Sequence, residues 1–278
     1  MVVPEGAKNL GRQADPAHMA IPPDQTRKDF VLPRRERDPQ PFGITWLDTI
    51  LLGGLGPGEV LLFLGPTGHG KTTLATQMAF ARASQDQHAV YITYDQKLEG
   101  DLYNRFWSMM TGVGRRELEG PGVAGMPIEV QERFQAWREA HGRYSHLYDL
   151  SGRDPGRGDI SDVEDIIMIE TGEGRPPRVI IVDYIQLAVD KAINSGLGSS
   201  LDLADSMDTY AREFAGICRT RGIQGVLIQQ LDVAHQRSTS IDLDHRMGQW
   251  VHHARHALHT CPGHRAAYPG CPRDCRQQ

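Results

Sequence analysis

The segment that most constrains the fold is LLFLGPTGHGKTTL, in which an apolar run leads into a glycine-rich loop, a lysine and two threonines. Residues 65–72 fit the pattern G-x-x-x-x-G-K-[ST] without a mismatch. In this pattern the glycines let backbone N–H groups converge on a phosphate, and a Cβ would obstruct that approach. The segment therefore predicts a buried strand, a phosphate-binding loop and a helix. A glycine-rich turn with no ligand is the competing interpretation.

The loop predicts binding of ATP together with Mg²⁺. We expect Lys71 to reach the β- and γ-phosphates and the Thr72 hydroxyl to ligate Mg²⁺, while the following helix directs its positive dipole end at the phosphates. His69 occupies a variable position of the pattern, so its identity is expected to be incidental. The expected ATP-binding residues are Gly65, Pro66, Thr67, Gly68, His69, Gly70, Lys71, Thr72 and Thr73.

A second acidic position is required to hold the Mg²⁺ shell, at the end of an apolar strand. Asp183 ends the run VIIVD, the most apolar strand of the chain, and is the expected second metal residue. An aspartate at such a place could instead cap the following turn.

Strand and helix patterns alternate along the chain. Short apolar runs typical of buried strands occupy residues 60–64, 89–93, 145–150, 179–183 and 225–230. Helical patterns occupy residues 72–83, 99–110, 128–141, 160–170 and 203–221. This alternation predicts an α/β fold with a mostly parallel sheet and helices on both faces. Cys218 falls on a helical pattern and is expected to be a small core residue.

Composition divides the chain into three parts. Residues 1–40 are rich in proline and charge and are expected to be disordered or extended, and residues 41–250 carry the strand and helix patterns. Residues 251–278 lose the apolar pattern and are expected to form a poorly ordered tail rich in His and Cys. A net charge of −5 gives no overall attraction to nucleic acid, although a channel needs only local positive charge. The chain shows neither a secretory signal nor an apolar run long enough for a membrane helix, which predicts a cytoplasmic protein.

Several segments together resemble one family of ring-forming ATPases. GITWLDTILLGGLGPGEVLLFLGPTGHGKTTLATQMA, AVYITYDQKLEGDLYNRF, VIIVDYIQLA and YAREFAGICRTRGIQGVLIQQL occur in this order over roughly residues 42–246. Their content and order resemble the ATPase domain of the DnaB-type replicative helicases, which are RecA-like P-loop ATPases. The string DYIQL favours the helicases over other RecA-like proteins. Residues 1–40 are too short and too polar to resemble the N-terminal helical domain with which those helicases bind primase.

The resemblance implies two further catalytic positions. Gln230 matches the glutamine that senses the γ-phosphate, although Gln229 stands where the family has serine. The glutamate that polarises the attacking water aligns with Asp95, or with Gln96 if the register follows Arg105. Aspartate is one methylene shorter than glutamate, so the water would have to lie closer to it. Glu99 as the base, or a slow or inactive site, remain the alternatives.

The resemblance also implies a homo-oligomer, a hexameric ring, that moves single-stranded DNA. Arg237 lies five residues before Asp242-Leu243 in HQRSTSIDLDHR, as does the arginine finger that these helicases insert into the neighbouring subunit's site. The Lys and Pro of the family's element are absent, and a solvated loop arginine is the alternative. The expected DNA-contacting loops, 189–200 and 232–245, carry little positive charge.

The tail HHARHALHTCPGHRAAYPGCPRDCRQQ supports three interpretations. Cys261, His264, Cys271 and Cys275 offer four zinc ligands, but only six residues separate the two pairs. A disordered tail is the simpler interpretation. The Arg, Pro, His, Cys and Ala bias is also typical of GC-rich DNA translated out of frame.

The sequence therefore predicts an ATP-dependent DNA helicase or translocase of the DnaB-like type, which couples Mg-ATP hydrolysis to movement on single-stranded DNA. One alternative is a RecA- or KaiC-like ATPase that does not unwind DNA. Such an ATPase would be stimulated by DNA or would have a regulatory role. A second alternative is an ATP-binding module with weak turnover that acts by binding a partner.

Overall fold

The computed structural model describes residues 38–152, 159–194, 203–230, 256–260 and 267–268, all of which belong to one compact unit. Within them seven strands form one sheet. The strands are β1 (Val60–Gly65), β2 (Ala89–Thr93), β3 (Ser145–Asp149), β4 (Val179–Asp183), β5 (Gln224–Gln230), β6 (His256–Thr260) and β7 (Ala267–Tyr268).

Eight α-helices lie in the described ranges. They are α1 (Thr45–Ile50), α2 (Lys71–Ala83), α3 (Tyr103–Thr111), α4 (Arg115–Leu118), α5 (Ile128–His141), α6 (Ile160–Gly172), α7 (Ile185–Asn194) and α8 (Leu203–Arg221). A π-helical turn, Leu98–Leu102, precedes α3, and the 3₁₀ turns Val123–Gly125 and Gly142–Tyr144 flank α5. None of the helices in the described residues is both long and apolar enough to cross a membrane.

The strand order is β3-β2-β4-β5-β1-β6-β7, and the pairs from β3 to β6 are parallel. Strand β5 thus lies between β1, which enters the glycine-rich loop, and β4, which ends at Asp183. Thr93 of β2 pairs with Asp183, and Gly65 of β1 pairs with Gln230. Because the carboxyl ends of parallel strands meet at one edge of the sheet, this topology brings the predicted site residues together.

Alternating side chains of the central strands build two cores. Leu62 and Leu64 join a buried cluster with Phe214 of α8, whereas Leu61 and Phe63 join a cluster with Met78 of α2. Helices α6, α7 and α8 therefore cover one face, and α1, α2 and α3 cover the other. The predicted α/β fold with a mostly parallel sheet and helices on both faces is confirmed. Cys218 is buried in the first of these clusters, as expected.

Helix α8 packs very closely on the strand that follows it. A Cβ on Gly225 would lie 2.5 Å from Phe214 and 2.8 Å from the Sγ of Cys218. A larger residue at the start of β5 would push α8 away from the sheet, so Gly225 is required by a close approach of the two elements.

The structure adds detail to two of the segments predicted from the sequence. Residues 251–278 were expected to form a poorly ordered tail, and the described parts of this segment are two short strands, of which β6 pairs in parallel with β1 and β7 pairs antiparallel with β6. The open edge of β1 offers backbone groups to any short segment, and such pairing needs no long apolar run. The expected DNA loop 189–200 begins inside α7, which continues to Asn194. Residues 1–37, and the tail residues Cys261, His264, Cys271 and Cys275, lie outside the described residues.

Candidate nucleotide-binding site

The glycine-rich loop joins β1 to α2 as predicted. Gly68 and Gly70 have φ angles of +81° and +82°, and Gly70 forms the N-cap of α2. A Cβ built on either residue meets nothing within 4 Å. These glycines are therefore required by the left-handed backbone of the loop, and not by crowding from the protein itself.

Lys71 is held across the mouth of the loop. Its Nζ donates to the carbonyl oxygen of Gly65 at 2.6 Å and to that of Pro66 at 2.7 Å. Burial lowers the pKa of the ammonium group, and the charge of Asp183 opposes that shift. An ammonium group has three N–H bonds, so one N–H remains beyond those two.

Asp183 is the most deeply placed acid in the cleft, with 2% of its surface exposed. The Tyr91 hydroxyl donates to its Oδ2 at 2.6 Å, and the Thr72 hydroxyl is also hydrogen-bonded to this carboxylate. Burial raises the pKa of Asp183, the hydrogen bonds from Tyr91 and Thr72 offset part of that shift, and the charge of Asp95 adds to it. The two predicted metal residues, Thr72 and Asp183, are thus in contact. Hydroxyl and carboxylate oxygens are the hard ligands that suit Mg²⁺, so the residues present fit the ion.

The water-activating candidates lie on the turn after β2. Asp95 is exposed and lines the same cleft as Lys71 and Asp183. Gln96 also lines the cleft, with its backbone N–H bonded to Thr93 Oγ1 at 3.0 Å. Glu99 lies farther along the chain, in the π-helical turn Leu98–Leu102. The two alignments with the family's glutamate, at Asp95 or at Gln96, therefore both place a side chain in the cleft.

Arg105 is a cleft residue that the sequence analysis used only as an alignment landmark. It extends from α3 into the cleft, where its Nη1 donates to Thr73 Oγ1. Burial lowers the pKa of its guanidinium group, and the charge of Arg115 lowers it further. No local sequence pattern places Arg105 in the cleft, because only the packing of α3 beside α2 brings it to the loop.

Gln230 is anchored by Gln186, which, like Arg105, was not predicted from the sequence as a site residue. The Gln186 side chain accepts from the Gln230 N–H through Oε1 at 2.8 Å, and its Nε2 donates to the Gln230 carbonyl oxygen. Gln186 lies in the first turn of α7, directly after the strand that ends at Asp183. The position predicted to sense the γ-phosphate is therefore tied to the start of α7.

The resulting cleft has a volume of about 290 Å³. Its lining combines the phosphate loop with the ends of β2, β4 and β5, namely Thr67, Gly68, Gly70, Lys71, Thr72, Thr73, Asp95, Gln96, Arg105, Asp183, Tyr184, Ile228 and Gln230. Arg237 and the expected loop 232–245 lie outside the described residues.

Lys191, the cation of the other expected DNA loop, has partners within the protein. Its Nζ donates to the carbonyl oxygens of Leu150 and Ser151, each at 2.7 Å. The side chain therefore joins α7 to the end of β3, which does not fit the role of a free DNA contact.

Comparisons with known proteins agree on the class of fold. A family model described as "ATPase: KaiC" matches residues 40–121. The DNA repair protein RadA of Mycobacterium tuberculosis is 40% identical over 58 residues, which make up 21% of this chain and 12% of that protein's length. The UPF0273 protein MK0039 of Methanopyrus kandleri is 22% identical over 210 residues, covering 70% of this chain and 77% of that protein.

Solved structures extend the likeness over most of the chain. One of them, solved as an ATPase domain, superimposes with a TM-score of 0.63 at 14% identity, covering 79% of this chain and 74% of that one. A DnaB-like replicative helicase, solved in a study of its interactions with primase, superimposes with a TM-score of 0.63 at 13% identity. The match covers 79% of this chain and 50% of that one. Identities this low establish a shared fold alone.

Proposed function

We propose that this chain, which has the RecA-like P-loop ATPase fold, hydrolyses Mg-ATP and uses that reaction to move on single-stranded DNA in the manner of a DnaB-like helicase. The observation that carries the proposal is the meeting of Lys71, Thr72, Asp183, Asp95 and Gln230 in one cleft. Each of these residue types has a distinct part in phosphoryl transfer.

The binding half of the proposed mechanism rests on the loop. The loop's backbone N–H groups and Lys71 would hold the β- and γ-phosphates, because the ammonium group already lies across the loop mouth. Thr72 and Asp183 would hold Mg²⁺, which when bound neutralises phosphate charge. Tyr91 keeps the Asp183 carboxylate in one orientation from inside the sheet.

In the chemical half, Asp95 orients the attacking water and takes its proton. Its position in the cleft fits that role, and its exposure leaves room for a water between it and the phosphate. Gln96 is the alternative from the second register, but an amide can only orient water and cannot accept its proton.

Movement would be coupled to chemistry through the link between Gln230 and Gln186. A change in the γ-phosphate contact of Gln230 displaces the end of β5, and the two hydrogen bonds to Gln186 pass that displacement to α7. The expected DNA-contacting segments, 189–200 and 232–245, begin within α7 and follow β5. We further propose a homo-oligomeric ring in which Arg237 enters the site of the neighbouring subunit.

A non-unwinding RecA- or KaiC-like ATPase is the second candidate, and two observations favour it. The matching family model is that of KaiC, and Lys191 is engaged by carbonyl oxygens of its own protein. Such a protein would share the cleft chemistry and differ in what the oligomer does with it.

ATP turnover by the full chain, measured with and without single-stranded DNA alongside particle mass, tests these proposals. Turnover stimulated by DNA, strand separation of a forked duplex and a hexameric mass are expected. DNA-independent turnover, or stimulation without unwinding, would favour the second candidate. ATP binding with no turnover at any DNA concentration would contradict the enzymatic proposal and leave a binding module. Lys71→Ala serves as the control that removes the phosphate contact.

A further inference from the structure

Three potential metal ligands converge at the end of the sheet away from the nucleotide cleft. His88 directly precedes β2, His146 lies on β3, and Glu170 lies near the end of α6. The His88 Nε2 lies 3.0 Å from Glu170 Oε2, and the His146 Nδ1 lies 2.7 Å from Glu170 Oε1. All three ligand atoms fall within 4.8 Å of one another.

This cluster, His88, His146 and Glu170, is largely withdrawn from solvent. The side chains of Glu170 and His88 are 0% and 5% exposed, while His146 is 28% exposed at the sheet edge and leaves a route of entry. Two imidazoles with one carboxylate form a donor set that Zn²⁺ uses in proteins. Zn²⁺ binds such atoms at about 2.0–2.2 Å, so ligands around one ion stand about 3–3.5 Å apart. Shifts of roughly an ångström would bring the present atoms to that spacing.

The protonation states also suit a metal. Burial lowers the pKa of His88, which keeps its imidazole neutral. Burial opposes ionisation of Glu170, but hydrogen bonds from Tyr148 and His146 outweigh it and lower the pKa of this carboxyl to about 2. Neutral imidazole and ionised carboxylate are the forms that coordinate metal ions.

Two further side chains hold the carboxylate from outside the cluster. The Tyr148 hydroxyl donates to Glu170 Oε1, and Arg175 Nε donates to Glu170 Oε2 at 3.1 Å. The guanidinium charge is shared with Glu173, to which Arg175 also donates. Such outer contacts orient a coordinating carboxylate without occupying every lone pair.

We propose that His88, His146 and Glu170 bind one zinc-like divalent transition-metal ion, which pins β2 and β3 to α6. The ion replaces the two contacts between the imidazoles and Glu170, while Tyr148 and Arg175 keep theirs. The site is distinct from the Mg²⁺ position, because His88 and Asp95 flank opposite ends of β2, a strand that is about 17 Å long. The inference does not depend on the proposed activity.

Binding of Co²⁺ to the metal-stripped full chain, followed by its visible absorption and competed by Zn²⁺, tests the site. The expected result is one equivalent in this cluster, displaced by Zn²⁺, with a rise in melting temperature. His146→Gln should weaken Co²⁺ binding by at least about 100-fold, because it removes a direct ligand. Tyr148→Phe removes only an outer contact, so it should weaken Co²⁺ binding by about 10–100-fold. His141→Gln is the matched control, because His141 pairs with a single carboxylate, that of Asp86, at 3.0 Å.

A separate variant tests whether the tail cysteines bind the ion. A chain with Cys261, Cys271 and Cys275 all changed to Ser should retain the cluster's Co²⁺ band. If Co²⁺ binding is lost in that chain and kept in His146→Gln, the ion belongs to the tail and the proposal is wrong. Absence of any stoichiometric Co²⁺ or Zn²⁺ binding to the wild-type chain would also overturn it and leave the cluster a hydrogen-bond network. Because Glu170→Gln risks misfolding, the decisive variant is His146→Gln at the partly exposed edge.

Discussion

The Tyr91 hydroxyl donates a 2.6 Å hydrogen bond to Asp183 Oδ2 from inside the sheet, where the tyrosine is fully buried. The two residues lie on the adjacent strands β2 and β4. A buried carboxylate stays ionised only where hydrogen bonds replace lost water, and this phenol supplies one of them. The predicted metal-binding acid, Asp183, is thus supported by a side chain that lies outside the cleft lining.

Tyr91→Phe should therefore raise the Mg²⁺ concentration needed for half-maximal ATP turnover. A hydrogen bond to a charged group contributes about 1.5–3 kcal/mol, so an increase of roughly tenfold or more is expected. Nucleotide binding measured without Mg²⁺ should change little. Tyr94→Phe is the control, since Tyr94 is equally buried but its hydroxyl interacts with Tyr210 and not with Asp183. Equal Mg²⁺ midpoints in the two variants would contradict the role given to Tyr91.

Asp95→Asn should reduce ATP turnover by about 10²–10⁴-fold while ATP affinity is kept, because an amide cannot accept the proton of the attacking water. Single-turnover kinetics and equilibrium binding separate the two quantities. Asp95→Glu should retain turnover, since it restores the longer acid of the resembled family. Unchanged turnover in Asp95→Asn would remove this residue from the mechanism, and a loss in Gln96→Ala would then favour the second register.

Arg105→Ala should weaken ATP more than ADP and lower the turnover number, because its guanidinium group reaches the loop beside Thr73 and can meet the terminal phosphate. Paired affinities for ATP and ADP are the measurement. Arg115→Ala provides a matched control, since Arg115 is 37% exposed and pairs with Asp101 and Glu119. An equal loss of affinity for both nucleotides would assign Arg105 to general packing of α3.

Gln186→Leu should break the proposed coupling between Gln230 and α7. It removes both hydrogen bonds to the Gln230 backbone, so the free energy of unfolding should fall by about 1–3 kcal/mol. Basal turnover should persist while stimulation by single-stranded DNA is lost. Stimulation that survives in a correctly folded Gln186→Leu chain would rule out this route of coupling.

Lys191→Met should destabilise the protein, because it leaves two carbonyl oxygens at the end of β3 without their donor. A decrease of about 1–3 kcal/mol in the free energy of unfolding, measured with denaturant, is expected. Unchanged stability combined with weaker DNA binding would instead restore Lys191 as a DNA contact.

The local parts of the site could be predicted from the sequence. The glycine-rich loop, Lys71, Thr72 and Asp183 are recognisable because the backbone conformation and the phosphate chemistry demand those residues at fixed spacing next to an apolar strand. The buried strands β1, β4 and β5 are likewise read from short apolar runs. These features depend on neighbours in the chain, so one segment is enough to identify them.

Other features were decided only by the tertiary structure. Tyr91, Arg105 and Gln186 act on residues 32–92 positions away, and nothing in their own segments shows what they contact. Strand β6 has no long apolar run and forms because the edge of β1 offers free backbone groups. The cluster of His88, His146 and Glu170 likewise arises where three distant segments meet. Side-chain contacts between distant segments depend on strand order and helix packing, and these are set by the whole core and not by any local pattern.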